Sequence, residues 1–270
     1  MKKVFLLIAI IAALAGCKKH DSAPPKFLLT KVIRNGQVEE EYVHDKRPQL
    51  IEVISYSFGN GTASTSRNKF LYDANGKLKE SNVYALNATQ PTSKWVYKVD
   101  GAGRMTRMSS YSLSGVDSGK LSTHIDNEFN ANDRVTQQVW RDEKEKATSS
   151  RQMSYYANGN MKTVEAYFLG GLVANKFYTV NFGPSDTTLP ASFFQVNAYP
   201  VNFYYNELIC PYMTTYTYEN NQLKQEIKEI MSDRKYNAQG LVVQQTITTK
   251  KVKPTGPDEV RMMQYEYKAY

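Results

Sequence analysis

The feature that most constrains the fold of this chain is a short motif that recurs along most of its length. A typical copy places an aromatic residue before Asp or Asn, then a small polar segment, then a basic or polar residue and an apolar one. The clearest copies are residues 70–78, 97–105, 127–135 and 153–161, and weaker ones are 44–50, 218–223 and 236–242. The closing apolar residues lie at positions 50, 78, 105, 135, 161, 223 and 242, so most steps are 26 to 30 residues.

Each copy predicts a β-hairpin. The Asp or Asn side chain supports a turn, and Asn-Gly supplies the positive φ that a tight reversal needs. The flanking segments alternate with the period of a strand. This alternation predicts one shared face for Trp95, Tyr97 and Val99, and another, after the next turn, for Val135, Gln137 and Val139. Seven or eight repeats of two strands predict about fourteen to sixteen strands.

Successive hairpins with short connections predict an antiparallel meander, because strands adjacent in sequence usually pair in space. Twisted strands in this number curl or close rather than lie flat. We therefore expect an all-β fold, one strongly curved sheet or open barrel with aromatic residues filling its concave face. Residues 183–211, which contain four prolines, interrupt the pattern. They are predicted to form an irregular insertion, either a functional loop or lid or a surface insertion without consequence.

The chain begins with an export signal. Lys2 and Lys3 precede the apolar run 4–14, which is too short to cross a bilayer as a helix and is typical of a secretory signal peptide, residues 1–16. Its end, Leu-Ala-Gly before Cys17, resembles a bacterial lipobox. That resemblance implies acylation of Cys17, for example with palmitate, and anchorage in a membrane through lipid. The alternative is a plain signal peptide with a chance cysteine.

Residues 17–26 are then predicted to form a lipidated, flexible tether containing Pro24 and Pro25, because proline disfavours regular structure. A single β domain is predicted for residues 27–270.

The Tyr-Asp-x-x-Gly-Arg/Lys-Leu copies resemble the YD repeat of RHS-type proteins. They resemble still more a group of Bacteroidota lipoproteins of unknown function that carry such a repeat behind a lipobox. The resemblance covers most of residues 42–249 and implies a hairpin-repeat architecture in the cell envelope. The strict Tyr-Asp pair occurs only at Tyr72 and Asp73, and the chain lacks the length and toxin tail of large RHS proteins. The toxin-encasing role is therefore not carried over.

Charge and cysteine content narrow the function classes. Removing residues 1–16, which include Lys2 and Lys3, reduces the formal charge from +8 to +6. Acidic and basic residues alternate, as in 141–146, and do not form the basic patch that is typical of nucleic-acid binding. The sequence therefore does not predict a nucleic-acid partner. If Cys17 is acylated, Cys210 has no partner for an intramolecular disulfide. Cys210 is then expected to be a buried small hydrophobe rather than a nucleophile.

No catalytic constellation is recognisable. The three histidines, His20, His44 and His124, lack metal-ligand spacing, and we expect them at turns or on the surface. There is no Gly-x-Ser-x-Gly elbow or phosphate-binding loop. We expect no metal, no cofactor and no enzymatic activity, although a distant pair of carboxylates for glycoside hydrolysis stays open.

Most aromatic residues are expected in the core, but four next to or within the irregular stretch are candidates for contact with a sugar or apolar ligand. These are Phe203, Tyr204, Tyr205 and Tyr212. The leading hypothesis is a non-enzymatic lipoprotein of the outer membrane, on its periplasmic or outer side, that offers a binding or assembly surface. Its partners would be the membrane, through the N-terminal lipid, and an envelope protein, glycan or lipid.

Two alternatives stay open. One is a carrier of lipid or another apolar ligand in a half-barrel cavity, and the other is a surface glycan binder or hydrolase. A transmembrane barrel is less favoured, because the predicted strands often carry Lys, Glu and Gln.

Overall fold

The structure is a computed structural model that describes residues 27–47, 49–59, 62–85, 88–169, 174–184 and 210–269. These ranges contain 16 strands. In chain order the strands are β1 Phe27–Arg34, β2 Gln37–His44, β3 Leu50–Gly59, β4 Thr62–Tyr72, β5 Leu78–Tyr84, β6 Ser93–Val99, β7 Met105–Ser112, β8 Leu121–Phe129, β9 Val135–Arg141, β10 Ala147–Tyr155, β11 Met161–Phe168, β12 Asn175–Phe182, β13 Tyr212–Glu219, β14 Gln222–Tyr236, β15 Val242–Lys253 and β16 Glu259–Ala269. A short 3-10 helix, Gly115–Asp117, joins β7 to β8.

The strands form an antiparallel meander that closes into a barrel. Each strand pairs with the next in sequence, and β1 pairs with β16 to complete the ring. The predicted all-β meander is confirmed, and its curvature goes as far as full closure. Closure leaves neither β1 nor β16 as an open sheet edge. Within the described ranges, no helix has the length and apolar character needed to span a membrane.

Six repeat motifs form turns at one end of the barrel, which we call the repeat-turn end. These turns join β2 to β3, β4 to β5, β6 to β7, β8 to β9, β10 to β11 and β14 to β15. Because strands alternate in direction, β1 begins and β16 finishes at this same end. Of the predicted insertion 183–211, which links β12 to β13 there, residues 185–209 lie outside the described part.

Five of the six repeat turns share one hydrogen-bond arrangement, and the sixth, after β10, has Tyr156 in place of the Asp or Asn. In the turn after β4, Asp73 Oδ1 accepts hydrogen bonds from the backbone N–H of Asn75 at 2.9 Å and of Lys77 at 2.8 Å. The same pair of bonds forms at Asp45, Asp100, Asn130 and Asn237. Asp142 repeats it at the opposite end, a copy that the sequence pattern does not single out. The predicted backbone-support role of these side chains is confirmed.

A β-bulge follows each of the six repeat turns. The register shifts directly beside the turn, so the residue after the closing apolar residue has no direct partner. Because the bulge resets the alternation, inward-facing residues lie three apart at this point. Val135 therefore shares its face with Gln138 rather than with Gln137 and Val139, and that part of the prediction was wrong. On β6, Trp95, Tyr97 and Val99 do share a face, each opposite an inner residue of β7.

The barrel has an apolar inner wall and a charged outer wall. Residues directly opposed across strands share a face, and the face that carries the buried apolar side chains lines the interior. The main cluster of these side chains runs from β9 through β16 and across the closing seam to β4, and includes Val32, Val164, Ile247 and Met263. Tyr97, Met108 and Ile125 form a second cluster on β6 to β8.

Tyrosines of the repeat fasten one copy to the copy before it. Tyr72 donates to the carbonyl oxygen of Leu50 at 2.7 Å, and Tyr155 donates to that of Val135 at 2.6 Å. Each acceptor is the closing residue of the preceding repeat. Where Phe129 stands in this position, the nearby Asn127 side chain donates to the Met105 carbonyl at 2.8 Å instead.

Two further sequence expectations differ from the structure. The weak copy 218–223 lies at the opposite end, as a tight turn in which Asn220 and Asn221 adopt φ of 50° and 61°. His124, expected at a turn or on the surface, lies inside β8 and is only 1% exposed. His44 ends β2 beside a turn, as expected. Cys210 is buried in the main cluster, as predicted, and forms no disulfide within the described ranges.

Candidate ligand site on the inner wall

One row of the inner wall carries polar side chains beside the two apolar clusters. Directly opposed pairs run from Asn127 on β8 to Gln138, Arg151, Ala166 and finally Tyr178 on β12. Trp140, two residues beyond Gln138 on β9, lies on the same face. We call Asn127, Gln138, Trp140, Arg151 and Tyr178 the inner-wall site.

Arg151 lies between two aromatic rings. Its guanidinium carbon is 4.6 Å from the centre of the Trp140 ring and 5.6 Å from that of Tyr178. These are favourable cation–π distances, which hold the side chain in place. In the described part of the chain, no carboxylate lies within 4.0 Å of this guanidinium. By contrast Arg261, elsewhere on the inner wall, is paired with Glu229 at 2.6 Å.

Gln138 has a hydrogen-bond acceptor that is not used. Its side chain is 3% exposed, and Nε2 donates to Asn127 Oδ1 at 3.0 Å. Its Oε1 is buried and accepts no hydrogen bond. A buried polar atom left in this state costs about 1–3 kcal/mol.

Gln245 occupies the equivalent position in another repeat and is fully satisfied. Both glutamines follow the closing residue of their repeat by three positions, and Gln245 is 0% exposed. Its Oε1 accepts from Arg234 Nε at 3.0 Å, and its Nε2 donates to the Tyr265 hydroxyl at 2.8 Å. The unused oxygen of Gln138 is therefore not dictated by its position in the repeat, because the equivalent oxygen of Gln245 has a donor.

The Tyr178 hydroxyl completes the polar row. It is buried, and its hydrogen bond with the Arg151 guanidinium falls outside good geometry. Burial raises its pKa, and this outweighs the lowering effect of the nearby Arg151 guanidinium. The hydroxyl therefore stays protonated at neutral pH and can donate or accept a hydrogen bond.

The inner wall beside the site is partly exposed towards the end opposite the repeat turns, which we call the mouth. Towards that end the inward-facing Trp95, Trp140 and Ser149 are partly exposed, as is Arg151 itself. Towards the repeat-turn end, inward-facing residues such as Val164 are fully buried. The inner-wall site thus lies where a solvent-accessible mouth meets the apolar interior.

A network of ionisable groups on the outer wall is, in contrast, internally satisfied. Asp126 accepts hydrogen bonds from Arg107 Nη2 at 3.1 Å and Arg141 Nε at 2.9 Å. Burial raises the Asp126 pKa, but these arginines lower it by more, so it lies below its usual range. His124 Nε2 lies 2.9 Å from Glu145 Oε2. Among the described residues, no group of three or more His, Cys, Asp or Glu is arranged to hold a metal ion.

Of the site residues predicted from the sequence, only Tyr212 lies in the part of the chain that the structure describes. Cys17, Phe203, Tyr204 and Tyr205 lie outside the described residues. Tyr212 begins β13 and is 38% exposed, but it faces outward, with Lys228 Nζ 5.0 Å from its ring centre.

The sequence did contain one indication of the inner-wall site. Gln138 stands where three other repeats carry the apolar Val53, Met108 and Val164, while the remaining two carry Ser81 and Gln245. Recognising it required the bulge, because simple alternation turns Gln138 outward.

Comparison with known proteins shows similarity in fold alone. No family model matches the chain, and no curated protein matches it. A solved structure of a porin-like protein from Bacteroides uniformis aligns with a TM-score of 0.50 and 10% identity, over 85% of this chain and 90% of that one. A second porin-like protein, from Bacteroides vulgatus, aligns with a TM-score of 0.38 and 12% identity, over 89% of this chain and 98% of that one.

A toxin complex, TcdB2-TccC3 without its hypervariable C-terminal region, aligns with a TM-score of 0.40 and 12% identity. The alignment covers 87% of this chain and only 12% of that one. The Bacteroides uniformis structure supports a closed β-barrel. At such low identity these similarities show nothing beyond the fold, and the YD repeat and the lipobox stay sequence predictions.

Proposed function

We propose that this protein is a non-enzymatic lipoprotein of the cell envelope whose barrel stands outside the bilayer and binds a small ligand on its inner wall. The observation that carries the proposal is the polarity of the two walls. A barrel that spans a membrane carries an outward apolar band about 25 Å tall. Here the buried apolar clusters face inside, together with a few ion pairs, and many charged side chains face outside.

The outer-wall charges are spread over many strands. Lys31 lies 3.9 Å from Glu41 on one neighbouring strand and 4.0 Å from Glu266 on the other. Lys94 and Glu80 pair on β5 and β6, and Lys176 and Glu165 pair on β11 and β12. A lipid-facing Lys or Arg at the bilayer centre costs about 2–4 kcal/mol. Several such charges make lipid a poor solvent for this wall.

The signal peptide and Cys17 supply the membrane attachment. Acyl chains on Cys17 would hold the protein at the surface of the outer membrane, because dual acylation gives stable anchoring. Residues 17–26 join β1 at the repeat-turn end. The accessible mouth of the inner wall is at the other end and can therefore face away from the anchor.

The inner-wall site favours ligand binding over a purely structural assembly surface. Partly exposed tryptophans beside an unpaired guanidinium are typical of ligand pockets, which combine apolar walls with a few polar groups. Trp95 and Trp140 also support a second candidate, the carrier of an apolar ligand. A carrier of a purely apolar ligand would leave Arg151 without a counterion.

Replacing Cys17 tests the proposed attachment. In a bacterium with a lipoprotein pathway, the natural protein should incorporate radiolabelled palmitate and sediment with carbonate-washed membranes. Cys17→Ala should lose the label and leave the membrane fraction while staying folded. Cys210→Ala is the matched control and should keep both properties. Continued sedimentation of Cys17→Ala with washed membranes would show that the barrel itself resides in the bilayer.

A further inference from the structure

We propose that the inner-wall site binds a small hydroxylated carboxylate of the sugar-acid class, with its carboxylate on Arg151. This inference deepens the proposed function and rests on its ligand-binding part, but not on lipidation of Cys17. It requires three matches between ligand and site. They concern the charge, the hydrogen-bond donor and the flat body of the ligand.

The charge follows from Arg151. Taking a cation out of bulk water is unfavourable unless an anion compensates it, and the interior offers this guanidinium no carboxylate within the described residues. The other inward-facing cations have protein partners: Arg261 pairs with Glu229 and Lys251 with Glu259, each at 2.6 Å, and Arg234 Nε donates to Gln245 Oε1 at 3.0 Å. The rings of Trp140 and Tyr178 hold the guanidinium plane, while its N–H groups can form a two-pronged contact with a carboxylate.

The donor follows from Gln138, which lies directly opposite Arg151 on the neighbouring strand. Its buried Oε1 has no donor, whereas the equivalent oxygen of Gln245 has one. A ligand that places only a carboxylate in the site leaves this oxygen unsatisfied. A hydroxyl on the same ligand satisfies it, and a second hydroxyl finds the Tyr178 phenol.

The ring of the ligand is inferred from the aromatic side chains between the site and the mouth. Trp95 and Trp140 pack beside the cluster of Tyr97, Met108 and Ile125, and both are partly exposed. Ser149 lies directly opposite Trp140 and faces inward as well. Flat aromatic surfaces beside hydroxyl groups suit a sugar ring, which has apolar C–H faces and polar edges. Inorganic phosphate would match Arg151 but not these tryptophans.

Binding of three ligands to the mature protein, purified in detergent, tests these requirements one by one. Galacturonate carries the carboxylate, the hydroxyls and the ring, galactose lacks only the carboxylate, and inorganic phosphate is an oxyanion without a ring. Calorimetry measures affinity, and fluorescence reports contact, because Trp95 and Trp140 are the two tryptophans of the chain. We expect galacturonate to bind with a change in tryptophan fluorescence, and galactose and phosphate to bind at least tenfold more weakly.

Variants assign the binding to the site. Arg151→Gln should weaken galacturonate binding by tenfold or more, since hydrogen bonds to charged groups are the strong ones. Arg151→Lys should fall in between, because it keeps the charge but loses the two-pronged geometry. The matched control is Arg67→Gln, since Arg67 also covers an aromatic ring, Tyr84 at 5.4 Å, but faces outward. It should bind galacturonate as the natural protein does.

Three results would overturn the inference. Galacturonate binding that is absent, or unchanged in Arg151→Gln, would remove the role of Arg151. Phosphate binding as tight as galacturonate binding would refute the sugar-acid class. Equal binding of galactose would remove the carboxylate requirement. None of these results bears on membrane attachment, which the Cys17 variant tests separately.

Discussion

At the scale of single residues, each repeat is fastened to the next at the rim of the barrel. Arg104 Nη1 reaches Asp133 Oδ1 of the next turn at 3.1 Å, and its guanidinium carbon lies 5.2 Å from the Phe129 ring centre. Arg134 repeats the second contact, at 5.5 Å from Tyr155. The basic residue of the motif therefore links successive turns.

Substitutions at two glycines can distinguish the cost of a left-handed backbone from the cost of displacing Arg134. Gly103 and Gly159 have φ of +86° and +85°, but an added Cβ meets nothing within 4 Å at Gly103 and overlaps the Arg134 guanidinium at Gly159. Gly103→Ala should lower the free energy of unfolding by about 1–2 kcal/mol, the strain of a left-handed residue. Gly159→Ala should lower it further, as measured by urea denaturation. Equal losses would show that Arg134 moves aside without cost.

The inward-facing Glu40 predicts a pH dependence. Burial raises its pKa, aided by the charge of Glu39 and opposed by the hydrogen bond from Tyr42. A carboxyl with a raised folded pKa destabilises the protein as pH increases through that pKa. Glu40→Gln should therefore raise the melting temperature at pH 7.5, and the gain should disappear near pH 4. A gain of the same size at both pH values would contradict ionisation as its cause.

At the scale of elements, the turn and the bulge form one unit. The Asp or Asn closes the reversal, and the bulge then places both the closing residue and the third residue after it on the inner wall. Asn130 shows that an amide oxygen serves as well as a carboxylate.

Asp100 tests this unit. Asp100→Asn should retain the turn, whereas Asp100→Ala removes the acceptor for the backbone N–H of Ala102 and Arg104 and should lower the free energy of unfolding measured by urea denaturation. The ion pair with Arg104 is lost in both variants, so their difference isolates the backbone bonds. Equal losses in the two variants would attribute the effect of Asp100 to its charge.

Some of this organisation can be predicted from sequence and some cannot. Turn residues such as Asp73 act within five positions, so the motif predicts the hairpins and the starts of β3, β5, β7, β9, β11 and β15. Bulges depend on interstrand register, and closure depends on β1 meeting β16 across the whole chain. The inner-wall site combines residues from β8 to β12 that only register aligns, and therefore its members could not be selected by spacing alone.

At the scale of the whole molecule, the polarity of the walls is the basis for our proposal that the barrel stands outside the bilayer. A charged outer wall is better solvated by water than by lipid. The fold similarity to porin-like proteins does not alter this preference. The anchor, if Cys17 is acylated, then lies at the repeat-turn end and the ligand mouth at the other. If the outer wall faces water, neighbouring residues of one strand should differ in their accessibility to a water-soluble label.

Cysteine labelling on β10 tests this central claim most directly. Gln152 faces outward and is exposed, while Met153 faces inward and is buried. In a Cys210→Ala background, lipid-anchored protein carrying Gln152→Cys should react rapidly with a water-soluble maleimide, and Met153→Cys should react only after unfolding in urea. Protection of Gln152→Cys in membranes, lifted when detergent replaces the lipid, would place the outer wall in the bilayer and contradict the account.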